Sequence, residues 1–353
     1  MESLGLRPPR KGSSDLPRIF KRLYHGLQWP RQVKQNIWVW SPLVIPGASS
    51  PVLKFINKLI LTIGLYLVRY LLRFRETILW SYNPMAFDFV PRSSFRASIY
   101  HCVDRLQAQP EMPSERIELA EKNFCRAVEV VFTTSPELQR SLCSLNPNTY
   151  FFGNVADFSH FSRAWRCPSI CPEKLREIPL PRLIFIGAID AYKVDLAALL
   201  ELAKKRPKWN IILAGPVGEA DPRTNIKQLQ DCSNVFLVGP VPYEELPDWL
   251  SHADVALLPL LMNAYTKNMF PMKFFEYLAA GIPVVASAIP SLMPFSNAAL
   301  LVEPYEDDLE KAIKLALSGH GPSQPERLSL AYRHTYIQRT KSMLNIMEDC
   351  GLI

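Results

Sequence analysis

Pro271-Met-Lys273-Phe-Phe-Glu276-Tyr-Leu-Ala-Ala-Gly281-Ile-Pro283-Val-Val-Ala286 is the stretch that decides the fold. Pro271 suits the first turn of a helix, Gly281 suits its C-terminal cap, and Val284-Val-Ala286 reads as an apolar strand behind a proline. Helix, glycine, proline and strand in that order form a common joint of α/β domains. In an open parallel sheet, ligands collect outside the carboxyl ends of the strands, where helix N-termini offer N–H groups to phosphate. Glu276 projects toward such an edge, and a carboxylate there accepts hydrogen bonds from ribose hydroxyls.

Working outward, strands and helices alternate. Strands are expected over 37–40, 77–81, 98–100, 128–133 and 149–152, and helices over 52–72, 114–125 and 136–142. After a proline-bearing stretch without periodicity, 163–181, strands follow over 183–186, 210–214, 235–238, 255–258 and 284–286. Helices are expected over 195–205, 243–251, 271–280 and 307–317, and 325–347 reads as one long helix. This alternation calls for parallel sheets with right-handed crossovers. At 353 residues, 48% hydrophobic and 21% charged, the chain is long and apolar enough for two α/β cores, which excludes a disordered or fibrous protein.

Seven cysteines, odd in number and without a CxxC pair, read as reduced thiols of a cytosolic protein. Cys167 and Cys171 have no His pair at ligand spacing, so no metal is expected. Charge is uneven. Residues 1–75 carry thirteen Lys or Arg against Glu2 and Asp15, a balance of +11 in a chain of net +7. That bias suits an anionic membrane surface or an acidic partner. No nucleic-acid motif accompanies it. The apolar stretch 52–72 is interrupted by Lys54, Lys58 and Arg69, which argues for an amphipathic helix rather than a span. Such a helix packs one face on a sheet or lies on anionic lipid.

Five segments occur in an order that resembles the donor domain of GT-B glycosyltransferases, in particular the large retaining family 4: Phe185-Ile-Gly187-Ala-Ile-Asp190, Ile211-Ile-Leu-Ala-Gly215-Pro216, Val238-Gly239-Pro-Val-Pro-Tyr243, Ala253-Asp254-Val-Ala-Leu-Leu-Pro259, and the opening stretch. The resemblance spans roughly residues 77–345. It implies two Rossmann-like domains with parallel sheets facing across a cleft, divided as 1–165 on the acceptor side, a linker over 166–181, a nucleotide-sugar donor domain over 182–324, and a final segment 325–353 that crosses back to the first domain. Many members carry two glutamates eight positions apart, whereas here Asn268 precedes Glu276. The pattern is closer to a subgroup with Asn263, Thr266, Pro271, Lys273 and Glu276. Nothing between Met1 and Lys34 supplies the opening strand of a Rossmann half, so the chain is expected to begin inside its first domain.

By this resemblance the protein transfers a sugar from a UDP- or GDP-sugar to a glycan or lipid-linked acceptor, needing no cofactor, at the cytoplasmic face of a membrane. Glu276 would hold the ribose, and Lys193 and Lys273 the diphosphate. Lys193 alone also reads as a solvated loop lysine, and Lys273 as a surface ion-pair partner of Glu276. Gly187, Gly215 and Pro216 let backbone approach the nucleotide or simply make turns. Tyr243 lies beside the base or packs, and Asn263 and Thr266 occupy a loop where phosphate or sugar contacts are usual. In the first domain Asp104 would orient a hydroxyl, with a helix cap as its other role, and His101 stands where related sequences tend to have an acid. Asn154 to His160 reads as structural. Two other classes share these residues: a nucleotide-sugar epimerase, and a non-catalytic partner that has lost its acceptor loop.

Overall fold

The computed structural model describes residues 29–45, 50–167, 170–303 and 308–353. The expectation about the first residues of the chain falls largely outside these. Two parallel sheets organise the rest. The first has the order β3 (Ile78–Ser81), β4 (Ala97–Cys102), β5 (Val130–Thr133), β6 (Thr149–Phe151). The second contains β7 (Arg182–Ile186), β8 (Asn210–Ala214), β9 (Val235–Leu237), β10 (Val255–Leu258), β11 (Val284–Ser287) and β12 (Leu300–Val302), in the order β12-β11-β10-β7-β8-β9. That order reverses between β7 and β10, the switch point at which doubly wound sheets bind ligands. The strand β12 has no counterpart among the expected elements, because a run of three residues is too short to show a period.

β1 (Arg31–Lys34) and β2 (Ile37–Val39) form an exposed antiparallel hairpin instead of joining the first sheet. The helix α1 (Pro51–Leu71) follows, with only Asn57 and Leu61 buried. It packs mainly on the turn Ala86–Phe89 rather than laying an apolar face on the sheet. α2 (Ser114–Ala127) and α3 (Pro136–Leu142) cover the first sheet, and Ser135 caps α3 by accepting from the N–H of Leu138. In the second half, α4 (Leu196–Lys205) is capped by Asp195, α5 (Leu246–Ser251) begins after the 3-10 turn Tyr243–Glu245, and α6 (Lys273–Ala279) starts two residues past Pro271. Every residue of α6 after Lys273 is buried, Glu276 included, which is why its pattern shows no amphipathic stripe.

Two expectations change. The stretch expected to be a linker folds into short helical turns, Arg163–Arg166 and Glu173–Arg176, and it buries Leu175 and Ile178 in the second core. The long terminal helix is two helices, with α7 (Asp308–Leu317) before them: α8 (Gln324–Arg333) and α9 (Tyr336–Asp349). The break lies at His334-Thr335, where Thr335 becomes an N-cap and the His334 carbonyl accepts from Ala156 N at 3.2 Å. Leu330 and Ala331 of α8 pack in the second core, whereas Met343 and Met347 of α9 pack on Ile99, Val130 and Phe132 of the first sheet.

Tyr277 of α6 ties the site-bearing helix to the switch point. Its fully buried hydroxyl accepts from Ile186 N at 2.9 Å, at the end of β7. Tyr277→Phe leaves that N–H without a partner, so the expected loss is about 1–3 kcal/mol in urea unfolding. An unchanged midpoint would mean that the strand end finds another acceptor.

Candidate functional site

The loops after β7 and β10 meet at the switch point. Leu261 N donates to Lys193 O at 2.9 Å and Asp195 N to Pro259 O at 2.8 Å. Lys193 stands there with its Nζ 3.4 Å from Asp190 Oδ2, and Asp190 is fully buried while its other oxygen accepts from the N–H groups of Ala220 and Asp221. Lys193 is therefore an ion-paired cation rather than a solvated loop lysine.

Facing it from the first sheet is Asp104, just past the end of β4. Burial pushes its carboxyl up to about 6, and the Tyr265 hydroxyl, which bonds to it, and the Lys193 charge pull the other way. Tyr265 is 7% exposed, and its ring meets that of Tyr192 edge-on at 5.1 Å. This tyrosine brings the two halves together, and nothing in its local sequence distinguishes it from a packing residue.

Asn263 and Thr266 brace the loop that follows β10. The Asn263 amide donates to Tyr192 O at 2.7 Å, and its carbonyl accepts from Tyr265 N at 2.9 Å and Thr266 N at 3.1 Å. Thr266 is fully buried and its hydroxyl donates to Leu261 O. These bonds shape the loop and position Tyr265, and Asn263 stays half-buried at its surface. Asn268, at the place of the missing acid, donates through its side-chain amide to Ala264 O at 2.8 Å, and its backbone carbonyl accepts the Ser135 hydroxyl of the first domain at 2.8 Å.

A second cluster surrounds Glu276, which is 3% exposed. Lys273 Nζ lies 2.5 Å from its Oε2. Burial raises the Glu276 carboxyl, and Lys273 and then His160 oppose that shift. His160 lies flat on Tyr243, with ring centroids 4.4 Å apart and planes at 9°, and its Nε2 is 2.9 Å from Tyr243 O. Burial, reinforced by Glu276, pushes the Tyr243 phenol up to about 12. Tyr336, at the start of α9, feels the same carboxylate and borders a cavity of about 460 Å³ that Asp157 also lines. Within Asn154 to His160, Asp157 caps the turn that aims His160 at Tyr243. No sequence signal could join His160 to a tyrosine 83 positions away.

The glycines sit where strands β7 and β8 end. Gly187 N donates to Ala214 O at 2.9 Å, and Ile189 N to Pro216 O at 2.8 Å. A Cβ on Gly215 would lie 2.0 Å from the Gly187 carbonyl oxygen, so close approach of two backbones decides this glycine. His101 is separate from both clusters. It is 3% exposed, accepts from Trp80 Nε1 at 3.3 Å, stacks on Tyr82, and burial followed by Arg339 lowers it to about 4. It is a neutral imidazole built into the strand.

Asp104 has a measurable signature. An acid whose folded pKa stands above its ordinary 3.8 holds its proton more tightly when folded, so stability falls as pH climbs from about 4 to about 6 and is not regained above. His101 acts in the opposite sense: lowered from 6.5 to about 4, it costs stability as pH falls through that interval. Asp104→Asn removes only the first contribution. Melts at pH 5 and pH 7.5 are expected to show the variant gaining roughly 1 kcal/mol on the parent at the higher pH. Parallel profiles would place Asp104 in contact with water.

Residues 180–329 match the family described as glycosyl transferases group 1. A Bacillus subtilis (strain 168) protein, named provisionally as the teichuronic acid biosynthesis glycosyltransferase TuaH, is 34% identical over 206 residues, 55% of this chain and 51% of that protein. The chain therefore spans about half the length of the curated relative it matches. Among solved structures, Anabaena HepE in complex with UDP and glucose aligns over 97% of this chain and 98% of its own, with a TM-score of 0.62 at 14% identity. The E. coli trehalose-6-phosphate structure bound with UDP-2-fluoro glucose aligns over 96% and 97%, with a TM-score of 0.68 at 12% identity. The sucrose-phosphate synthase of Thermosynechococcus elongatus aligns over 91% and 85%, with a TM-score of 0.65 at 16% identity. Those identities speak for the fold, and the family match speaks for the second half. Two parallel sheets with a switch point lined by Lys193 thus agree with the GT-B fold of these structures, and residues 180–329, which carry the Glu276–Lys273 pair, are similar to the group 1 glycosyltransferases.

Proposed function

We propose that the protein is a nucleotide-sugar-dependent glycosyltransferase that moves a hexose, with retention at the anomeric carbon, onto a glycan or lipid-linked acceptor. The observation that carries this reading is the buried Glu276, held against Lys273 at 2.5 Å beneath the Tyr243–His160 stack in the family-matching domain. An ionised carboxylate in that position accepts both hydroxyls of a ribose, and Tyr243 offers a flat face to the base. Lys273 and Lys193 carry positive charge for the diphosphate, together with backbone N–H groups at the β7 and β8 ends, so the leaving group is stabilised without help from an acceptor side chain. Asp104, protonated near neutral pH more readily than an ordinary aspartate, faces the switch point from the other domain and orients a sugar or acceptor hydroxyl. The interdomain contacts Ser135 to Asn268 and Asn154 to Phe270 hold the cleft shut, a state that excludes water from a reactive donor.

HepE and the E. coli protein were solved with UDP or a UDP-sugar, which favours a uridine donor here over a guanosine one. We place the enzyme peripherally on an anionic membrane, where a lipid-linked acceptor would reside. Calorimetric titration of UDP and GDP tests the reading. Micromolar binding of UDP, with GDP at least tenfold weaker, is expected. A folded chain that binds neither nucleotide would not be a transferase.

A further inference from the structure

Residues 29–45 and 50–75 present an apolar surface that the transfer reaction does not use. Along α1, Val52, Phe55, Leu59, Ile63, Tyr66 and Tyr70 recur at spacings of three and four and are each 51–73% exposed. This is one continuous stripe on a helix about 32 Å long. The opposite side of α1 is tied down along its length. Lys54 Nζ lies 3.5 Å from Asp88 Oδ2, and the Asn57 amide exchanges two hydrogen bonds with the Ile45 backbone. Leu61 is buried, and Arg69 donates to Ser94 O. The hairpin belongs to the same unit, because Trp40 packs against Gly64 so closely that a Cβ there would meet its ring at 2.3 Å. The hairpin adds Trp38 at 39% exposure, and Trp29 just ahead of it is 68% exposed.

The helix is long and apolar enough to cross a membrane, yet only 11% of its most apolar window is buried in the protein. Its anchors to residues 45, 88 and 94 prevent it from spanning while the domain is folded. The charge around it selects the occupant. No Asp or Glu occurs between Asp15 and Glu76, whereas Arg31, Lys34, Arg73 and Arg75 flank the stripe. A second copy would bring the same uncompensated positive charge to the contact. A bilayer with anionic headgroups supplies the complementary charge and takes up the apolar side chains, and tyrosine and tryptophan are the side chains that favour its interface.

We propose that α1 and the β1–β2 hairpin form a membrane-docking face that lies in the interface of an anionic bilayer, with the Val52 to Tyr70 stripe inserted and the basic residues on the headgroups. The N-terminal half of α1 sits on residues 87–88, shortly after the Tyr82-Asn83 turn at the cleft end of β3, so the docked face brings the mouth of the first domain to the bilayer. This deepens the peripheral placement above, and only its consequence for a lipid-linked acceptor rests on the transferase reading.

Co-sedimentation of the full chain with phosphatidylcholine vesicles, with and without 30% phosphatidylglycerol, tests it. The expected result is binding at low salt to the anionic vesicles, at least tenfold stronger than to phosphatidylcholine alone. It should be weakened at least tenfold by the exposed double substitution Phe55→Asn/Leu59→Asn and reduced by 0.5 M salt. UDP titration of the same preparations separates this from the transferase reading, since neither residue touches the donor cluster and nucleotide binding should survive. Failure to bind anionic vesicles, or binding that the double variant leaves intact, overturns the proposal. Sedimentation that instead shows a dimer dissociated by the double variant, with no vesicle binding, assigns the face to a second copy and overturns it equally.

Discussion

Glu276→Ala is expected to weaken UDP binding ~10–100-fold, as removal of charge-assisted hydrogen bonds to a ribose predicts. The effect is large because Glu276 is 3% exposed and has one protein partner among its described hydrogen bonds, Lys273 at 2.5 Å, which leaves its other oxygen for a ligand. Truncation also removes the counter-charge from Lys273, a side chain 25% exposed, so the ammonium turns toward solvent and the diphosphate end of the site loosens. Glu276→Gln provides the control, because it keeps shape and one acceptor while dropping the charge. It should fold like the parent and fall between the parent and the alanine variant in calorimetry. Equal affinities in all three proteins would move the ribose away from α6 and leave the pair with a structural role.

Gly215→Val should prevent folding or cost more than about 4 kcal/mol. A Cβ at position 215 would stand 2.0 Å from the Gly187 carbonyl oxygen and 2.6 Å from its carbonyl carbon. These are backbone atoms at the end of β7, bound in turn to Ala214 through Gly187 N, so no side-chain rotation relieves the clash. The strand ends must separate, and with them the loops carrying Asp190 and Lys193. Gly239→Ala gives the contrast. Nothing lies within 4 Å of its added Cβ, and its φ of 75° costs an alanine about 1 kcal/mol. Thermal melts of the two variants distinguish a steric requirement from a conformational one. A Gly215→Val protein that melts like Gly239→Ala would mean that the β7 and β8 ends move apart freely.

Much of the second half was legible in the chain itself. The strands 210–214 and 255–258 have the same limits in the structure as in the sequence reading, because each is a short apolar run bounded by turn residues. Lys273 and Glu276 were legible as a pair from their spacing of three on a helix. Asn263 and Thr266 were legible as loop residues near the site, but their bonds to Tyr192 O and Leu261 O, which brace that loop, were not. The first half was harder to read. The strand at 37–39 has the composition of a sheet member yet pairs with 31–34 in a hairpin, since pairing partners are not local information.

The sequence by itself determined the alternation of strands and helices, the two-core size, the uneven charge and the joint that sets Glu276 after β10, all properties written in runs of neighbouring residues. Only the tertiary structure decided which side chains meet. His160 reaches Tyr243 across 83 positions, and Tyr265 reaches Asp104 from the other domain. The terminal helix breaks at Thr335, where the chain passes from one core to the other. It also decided that the stripe of α1 faces outward. A period of three and four marks an apolar face, but whether a sheet or a solvent boundary lies against it depends on contacts hundreds of atoms away.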